Sequence, residues 1–362
     1  MKEMSLDEIR KKINEVDEEI LRLISERVDL GKHVASAKQK HDSIYFKPDR
    51  ERQILQRITE LNPGFLDDVR VQNIFREIMS ATLSTQKQLE VGYLGPEGSF
   101  SHQAAQKKFG HSLTLVPCVD FEDVFDRVQK KKLDYGIVPI ENSLEGIVNA
   151  TLDNLLKYNL NIYSEVHLAI HNNLLTFAKD LSQIKTLYTY RQPYGQCRQW
   201  IGKYLPHAEF VETSSTSKAA EMVAQKNDPA TAAIASSIAA EIYNIPVLEE
   251  SIEDYDLNFT RFIVIGFEEA HATDLDRTSI MFTIHHEPGS LFGVLEPLYR
   301  AKINMTSIES RPARNEPWNY TFFIDLIGHQ NNEPLKSILA QIKSKTPFFR
   351  VLGSYPVDQD FT

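Results

Sequence analysis

The chain has 362 residues, enough for two or three domains. Its 42% apolar content suits ordinary globular cores, and a net charge of −10 argues against a nucleic-acid surface as the main partner. Cys118 and Cys197 give neither a disulfide framework nor a metal spacing, and no apolar run has membrane-spanning length or the form of a signal peptide, so a cytoplasmic protein is expected.

From Leu6 the apolar residues recur at 6, 9, 13, 16, 20 and 23, a helical seam. Continued by threes and fours, the seam reaches Arg27, Leu30, Val34 and Lys38, with Arg10 on its border. It therefore carries an arginine and a lysine about 16 Å apart along the axis. Pro48 opens a second helix with Ile54, Ile58 and Leu61 on one face and Arg50 and Glu51 near its start. A third helix begins near Asp67 and shows the stripe Val71, Phe75, Ile78, Thr82, Gln86 and Leu89. Polar groups in three consecutive seams predict a wet, basic pocket inside a helical bundle. Three helices with so long a first member enclose such a pocket poorly, which favours an intertwined homodimer.

From Val91 strand and helix patterns alternate, as in an α/β fold with mostly parallel sheets. Two such sets follow one another, and the apolar run Ile263–Phe267 returns to the first. That pattern predicts two lobes with a cleft between them. Polar loops after strands should face the cleft: Asn142 and Ser143 from one lobe, and Thr189, Gln196, Ser215 and Thr216 from the other. Thr260 and Arg261 sit on the crossing segment, a hydroxyl and a guanidinium between two aromatic rings. Residues 268–276 read as a polar linker, and the remainder follows the order βαββαβ.

The stretches Gly95-Pro96-Glu97-Gly98-Ser99-Phe100-Ser101, Tyr135–Gly146 and Asn258-Phe259-Thr260-Arg261-Phe262 resemble prephenate dehydratase. The helical region resembles the all-α type of chorismate mutase. Glu309-Ser310-Arg311-Pro312 and Pro288-Gly289-Ser290-Leu291 resemble the two effector motifs of the ACT domain. Together they resemble the bifunctional chorismate mutase–prephenate dehydratase family. That resemblance implies a multidomain chain: an all-α mutase domain over 1–90, a two-lobed, periplasmic-binding-protein-like α/β dehydratase domain over 91–268, and a ferredoxin-like α+β ACT domain over 276–356.

The resemblance also implies roles. Arg10, Arg27 and Arg50 would clamp the carboxylates of chorismate, Arg10 from a partner subunit. Lys38 and Gln86 would donate to the breaking ether oxygen, Glu51 would bind the ring hydroxyl, and Thr82 would assist a carboxylate. Lys47 stands where some members place an aspartate. Thr260 would be essential for dehydration of prephenate, with Arg261 as the neighbour that polarises it. Asn142, Ser143, Thr189, Gln196, Ser215, Thr216 and Arg261 would bind that substrate. The segment Tyr188–Pro193 has Thr189 and Tyr190 where the family pattern reads Ser and His. Gly289, Ser290, Leu291, Asn304, Glu309, Ser310 and Arg311 would bind phenylalanine as an effector. No metal and no cofactor is implied. Two other readings fit fewer of these features: a dehydratase whose helices only dimerise, and a phenylalanine-sensing binding protein.

Overall fold

The computed structural model describes residues 4–38, 44–312 and 320–358, apart from the side chains of 35–38. The chain divides into two compact units, one of residues 1–89 with 109–114, the other of residues 90–108 with 115–362.

The first unit is built on α1 (Leu6–Lys38), α2 (Pro48–Leu61) and α3 (Asp68–Gln86). With 33 residues, α1 is about 50 Å long. Pro48 opens α2, where its missing N–H costs nothing, and Asp67 caps α3 by accepting from the Arg70 N–H at 2.8 Å. The predicted seam forms, but much of it lies open: Ile13 is 52% and Val16 56% exposed.

The second unit starts with β1 (Glu90–Leu94), α4 (Phe100–Phe109), β2 (Thr114–Cys118), α5 (Phe121–Gln129), β3 (Tyr135–Asn142), β4 (Gly146–Ile147), α6 (Asn149–Lys157) and β5 (Asn161–Ala169). A second lobe contains β6 (Asn173–Thr176), β7 (Thr186–Thr189), α7 (Arg191–Gln196), α8 (Arg198–Tyr204), β8 (Glu209–Glu212), α9 (Thr216–Lys226), β9 (Thr231–Ala235), α10 (Ser237–Tyr243) and β10 (Val247–Glu249). The chain then returns as β11 (Phe259–Gly266). The first sheet runs β2-β1-β3-β11-β5, so the returning strand lies in its interior; the second runs β10-β6-β9-β7-β8. Both sheets are mixed rather than mostly parallel, because β11 is antiparallel to both neighbours and β6 is antiparallel to β9.

The chain continues through β12 (Asp276–Thr283), α11 (Ser290–Arg300), β13 (Met305–Pro312), β14 (Tyr320–Ile327), α12 (Leu335–Lys345) and β15 (Phe348–Pro356), with sheet order β13-β14-β12-β15. This βαββαβ sheet is not a free appendage. Met281, Phe323, Leu352 and Tyr355 share one core with Ile140, Ile162 and Ile263 of the first lobe. At Gly353 the backbone of β15 comes so close to β5 that a methyl group would run into the Ile162 carbonyl. Ala270, inside the predicted polar linker, is buried.

Candidate active sites and their buried support

The first candidate site lies between α1 and α3. Arg27 donates to the Thr82 hydroxyl at 2.7 Å and the Ile78 carbonyl at 3.4 Å. Burial, and then the like charge of Arg50, push the pKa of Arg27 down. Thus two guanidiniums lie close enough to repel one another, and Arg27 makes no ion pair among the described residues, an arrangement suited to an anion. Gln86 is drawn to the same place by Gly31, one turn beyond Arg27. A Cβ there would collide with the Thr82 methyl and lie 3.1 Å from Gln86 Nε2. A glycine inside a long helix, four residues from an arginine in the seam, is the signal that could have singled it out.

The other predicted residues of this site are less concentrated. Lys47 is the N-cap of α2, its carbonyl accepting from the Glu51 N–H at 3.0 Å, and its side chain makes no capping bond. Glu51 is half-buried in the first turn, whereas Arg50 is exposed and donates to Gln53 at 3.2 Å. Lys38 closes α1, but its side chain lies outside the described residues. The Arg10 side chain is 68% exposed beside Asp7. It lies about 25 Å from Arg27 along the same helix, so the two cannot hold one small ligand within one chain.

The second candidate site is a cavity of about 680 Å³ between the lobes, lined by Thr260, Asn142, Gln196, Ser215 and Thr216 among others. Its centre is set by strand register: Thr260 in β11 pairs with Asn142 in β3. Asn142 Nδ2 donates to Thr260 Oγ1 at 2.9 Å and to Asn258 Oδ1 at 2.8 Å. Its Oδ1 accepts from the N–H groups of Leu144 and Glu145, both at 3.0 Å. Those main-chain donors fix the orientation of the amide, so its nitrogen must face Thr260. The Thr260 oxygen therefore receives a proton donor, and its own hydrogen stays available to the cavity.

On the opposite wall, Ser215 caps α9 by accepting from the Lys218 N–H, and Lys218 itself reaches the cavity. Its ammonium is paired with Glu221, which also lines the cavity, at 2.8 Å, so the donors left for an anion on this wall are those of the helix N-terminus. Gln196 Oε1 accepts from Asn172 and Asn258, each at 3.2 Å. Ser217 donates to the Glu97 carbonyl and Ser236 to the Gly98 carbonyl at 2.7 Å, closing one rim. Gly98 has φ +79°, and a Cβ there would lie 2.9 Å from Ser217 Oγ, so only glycine suits this latch.

Three sequence expectations for the cleft need correction. Thr189 is fully buried and spends its hydroxyl on the Ile234 carbonyl at 3.0 Å. Ser143 staples the crossing segment instead, donating to the Leu257 carbonyl and accepting from the Phe259 N–H. Arg261 does not enter the cleft, because successive side chains of a strand point to opposite faces. It is 5% exposed and contacts Asp325 at 2.7 Å, Glu141 at 3.2 Å and Glu165 at 3.4 Å. The side chain that donates to Thr260 Oγ1 is that of Asn142.

In the C-terminal sheet, Gly289 is left-handed (φ +86°) at the N-terminus of α11 and exposed, with Ser290 and Leu291 half-buried in the first turn. The Asn304 carbonyl accepts from the Ile327 N–H at 2.9 Å, ahead of the edge strand β13. On that strand Ser310 is exposed and Glu309 half-buried. The Arg311 guanidinium is already engaged, donating to Asp153 of α6 at 2.9 and 3.1 Å and to Asn149 at 2.9 Å. Among the described residues no three His, Cys, Asp or Glu side chains form a metal-holding group, and no helix is long and apolar enough to cross a membrane. Both cysteines are free and buried.

A three-helix unit with Arg27 and Arg50 near one another, a two-lobed cleft around Thr260 and a βαββαβ sheet make a three-part chain, the architecture of a multidomain enzyme with an appended small-molecule-sensing type of sheet. Family models match in that order: chorismate mutase type II over residues 9–87, prephenate dehydratase over 91–270 and the ACT domain over 278–344. The chain is 42% identical over 355 residues to a bifunctional chorismate mutase/prephenate dehydratase of Aquifex aeolicus, covering 97% of this chain and 98% of that one. It is 41% identical over 357 residues to the protein of that name from Stutzerimonas stutzeri, covering 97% of each. A solved prephenate dehydratase from Arthrobacter aurescens, in complex with L-Phe, is 32% identical with a TM-score of 0.70, covering 74% of this chain and 90% of that one. The chain belongs to the bifunctional chorismate mutase/prephenate dehydratase family, which joins an isomerase to a lyase.

Proposed function

We propose that this protein rearranges chorismate to prephenate in its helical unit and converts prephenate to phenylpyruvate in its cleft, under feedback inhibition by phenylalanine. The observation that carries the reading is the bond from Asn142 Nδ2 to Thr260 Oγ1 at 2.9 Å. Loss of carbon dioxide and hydroxide from prephenate makes the ring aromatic, so the protein must mainly assist the leaving hydroxyl and orient the carboxylates. Thr260 alone is a poor acid; an amide on its oxygen strengthens the hydroxyl as a donor. The N-terminus of α9 suits a carboxylate across the cavity, with Lys218 able to serve it by leaving Glu221.

The mutase step needs no covalent help. Holding a compact dicarboxylate conformer and stabilising charge on the ether oxygen suffice. Arg27, Arg50, Thr82 and Gln86 are grouped for that work, with Lys38, Lys47 and Glu51 assigned to the same pocket. The open seam of α1 and the distance from Arg10 to Arg27 support a homodimer in which Arg10 of one chain serves the pocket of the other. Phenylalanine would bind at Gly289–Leu291, Asn304, Glu309 and Ser310 of the ACT sheet. We assign residues 1–90 to the mutase, 91–268 to the dehydratase and 276–356 to the regulator, and place the protein in the cytoplasm. No cofactor is assigned.

The test is chorismate as sole substrate, with chorismate loss and phenylpyruvate formation followed together. Phenylpyruvate is the expected product. Prephenate accumulating would remove the dehydratase assignment, and unchanged chorismate would reduce the helices to a dimerisation element.

A further inference from the structure

Arg261 belongs to a buried ion cluster that crosses from the first lobe to the ACT sheet. Besides its three carboxylate contacts, Arg277 of β12 approaches Glu165 at 3.1 Å and Asp325 at 3.9 Å. Ser279 donates to Asp325 Oδ1 at 2.5 Å and meets the Tyr355 hydroxyl at 2.7 Å. Glu165 and Asp325 are 2% and 7% exposed. Burial alone would raise the Asp325 pKa, but Arg261, Arg277 and Ser279 together hold it below the usual carboxylate range. Asp325 is therefore held as a carboxylate by groups from both the lobe and the C-terminal sheet.

Its place on β11 matters more than its strength. Arg261 and Thr260 are consecutive residues of one interior strand, so fixing the guanidinium on one face fixes the hydroxyl on the other. A small cavity of about 20 Å³ lies against Arg261, Ser279 and Asp325, and its remaining wall includes Ser307 and Glu309 of β13. The strand with the effector-motif glutamate thus opens onto the cluster that anchors the strand with Thr260.

Resting on the proposed dehydratase and effector assignments, we propose that the cluster of Arg261, Glu165, Arg277 and Asp325 positions Thr260 for dehydration, and that the ACT sheet acts on the reaction through it. Asp325 and Arg277 are then positioning residues about one sheet away from the substrate. A shift of β13 on effector binding would change the cavity wall at Glu309, redistribute the contacts of Arg261 and move the Thr260 hydroxyl against Asn142.

The test uses the full chain and measures kcat and KM for prephenate, inhibition by phenylalanine and the mutase rate on each preparation. Two variants are compared with the unaltered protein: Asp325→Asn, which removes a charge at constant shape, and the milder Ser279→Ala, which removes one donor to Asp325. The expected result is a fall in kcat of about tenfold for Asp325→Asn and about threefold for Ser279→Ala, since small misplacements of a catalytic group are costly. KM should stay within about twofold while phenylalanine inhibition flattens in the same order. If Asp325→Asn fails to fold, Ser279→Ala decides. Unchanged kcat and unchanged phenylalanine response in the folded variants overturn the proposal, as does a rise in KM alone. No prephenate turnover by the unaltered chain rejects the dehydratase assignment itself; turnover there with unchanged kcat and unchanged phenylalanine response in the variants rejects only the role of the cluster.

Discussion

The helical site and the cleft differ in how much of each lies within one chain. In the cleft, Thr260 is 8% exposed, its hydrogen-bond partner is fixed by main-chain donors, and residues of both lobes line the cavity. In the helical unit, Arg27 is placed by its bond to Thr82 of α3 and Gln86 lies against Gly31 of α1, yet α1 presents exposed apolar side chains from Leu6 to Val34 and the Arg10 side chain is exposed. Burial separates a cleft that one chain encloses from a helical seam that one chain leaves open. Under the proposed homodimer, the two activities would depend unequally on assembly.

The strongest way to break this contrast is to disable each site in turn. Arg27→Ala should lower mutase turnover by about 10²- to 10³-fold and leave dehydratase turnover within about twofold, because it removes a charge from a preorganised anion site. Thr260→Val should do the converse, lowering prephenate turnover by about 10²-fold or more. Parallel assays with chorismate and with prephenate check both; equal loss in either variant would erase the separation.

A smaller effect should follow from charging the bare seam. Val16→Glu places a carboxylate in the proposed interface, so the mutase rate should fall about tenfold or more with a shift to smaller species in sedimentation. Prephenate turnover measured on the same dissociated protein should persist. Gly31→Ala sharpens the contrast from inside the helical unit. Its methyl collides with Thr82, moving α1 off α3, and mutase kcat should drop about tenfold while the cleft is untouched.

The smallest effect appears only in acid. The Asp325 carboxylate has a depressed pKa in the folded protein, so its contribution is complete above the ordinary aspartate value of about 3.9 and is lost as pH falls through the lower folded value. Thermal unfolding followed from pH 6 to about pH 3 should show that loss in the unaltered protein. It should be shallower in Asp325→Asn, which starts less stable but has no such proton to take up.

Much of this was legible in the sequence, and the failures have a common form. Thr260 is visible as a hydroxyl just before an apolar strand, and the seam of α1 is visible as a period. Adjacency to Thr260 suggests that Arg261 faces the cleft, yet on a strand adjacency means opposite faces. The corrective signal is present: Glu165, Arg261 and Asp325 are each the one Asp, Glu, Lys or Arg of their strand, and opposite charges buried in this way seek one another. Thr189 and Ser143 follow strands as binding residues do, but their hydroxyls are taken by carbonyls from elements distant in sequence. No local pattern reveals such long-range partners. The role of Gly31 depends on the closeness of α3, which the sequence of α1 does not contain.

The close approach at Gly353 and the core shared by Met281, Leu352 and Ile162 bear on modularity. Residues 268–276 look like the place to exchange one sensory cassette for another. A chimera joined there would bring a foreign sheet to a surface shaped for this one, and it would leave Glu165 and Arg261 facing strangers. What can be transplanted is the set of strands and helices that touch across the seam: β5, α6 and β11 together with β12, β13, β14 and β15. Sensor and catalyst here are inherited as a single block.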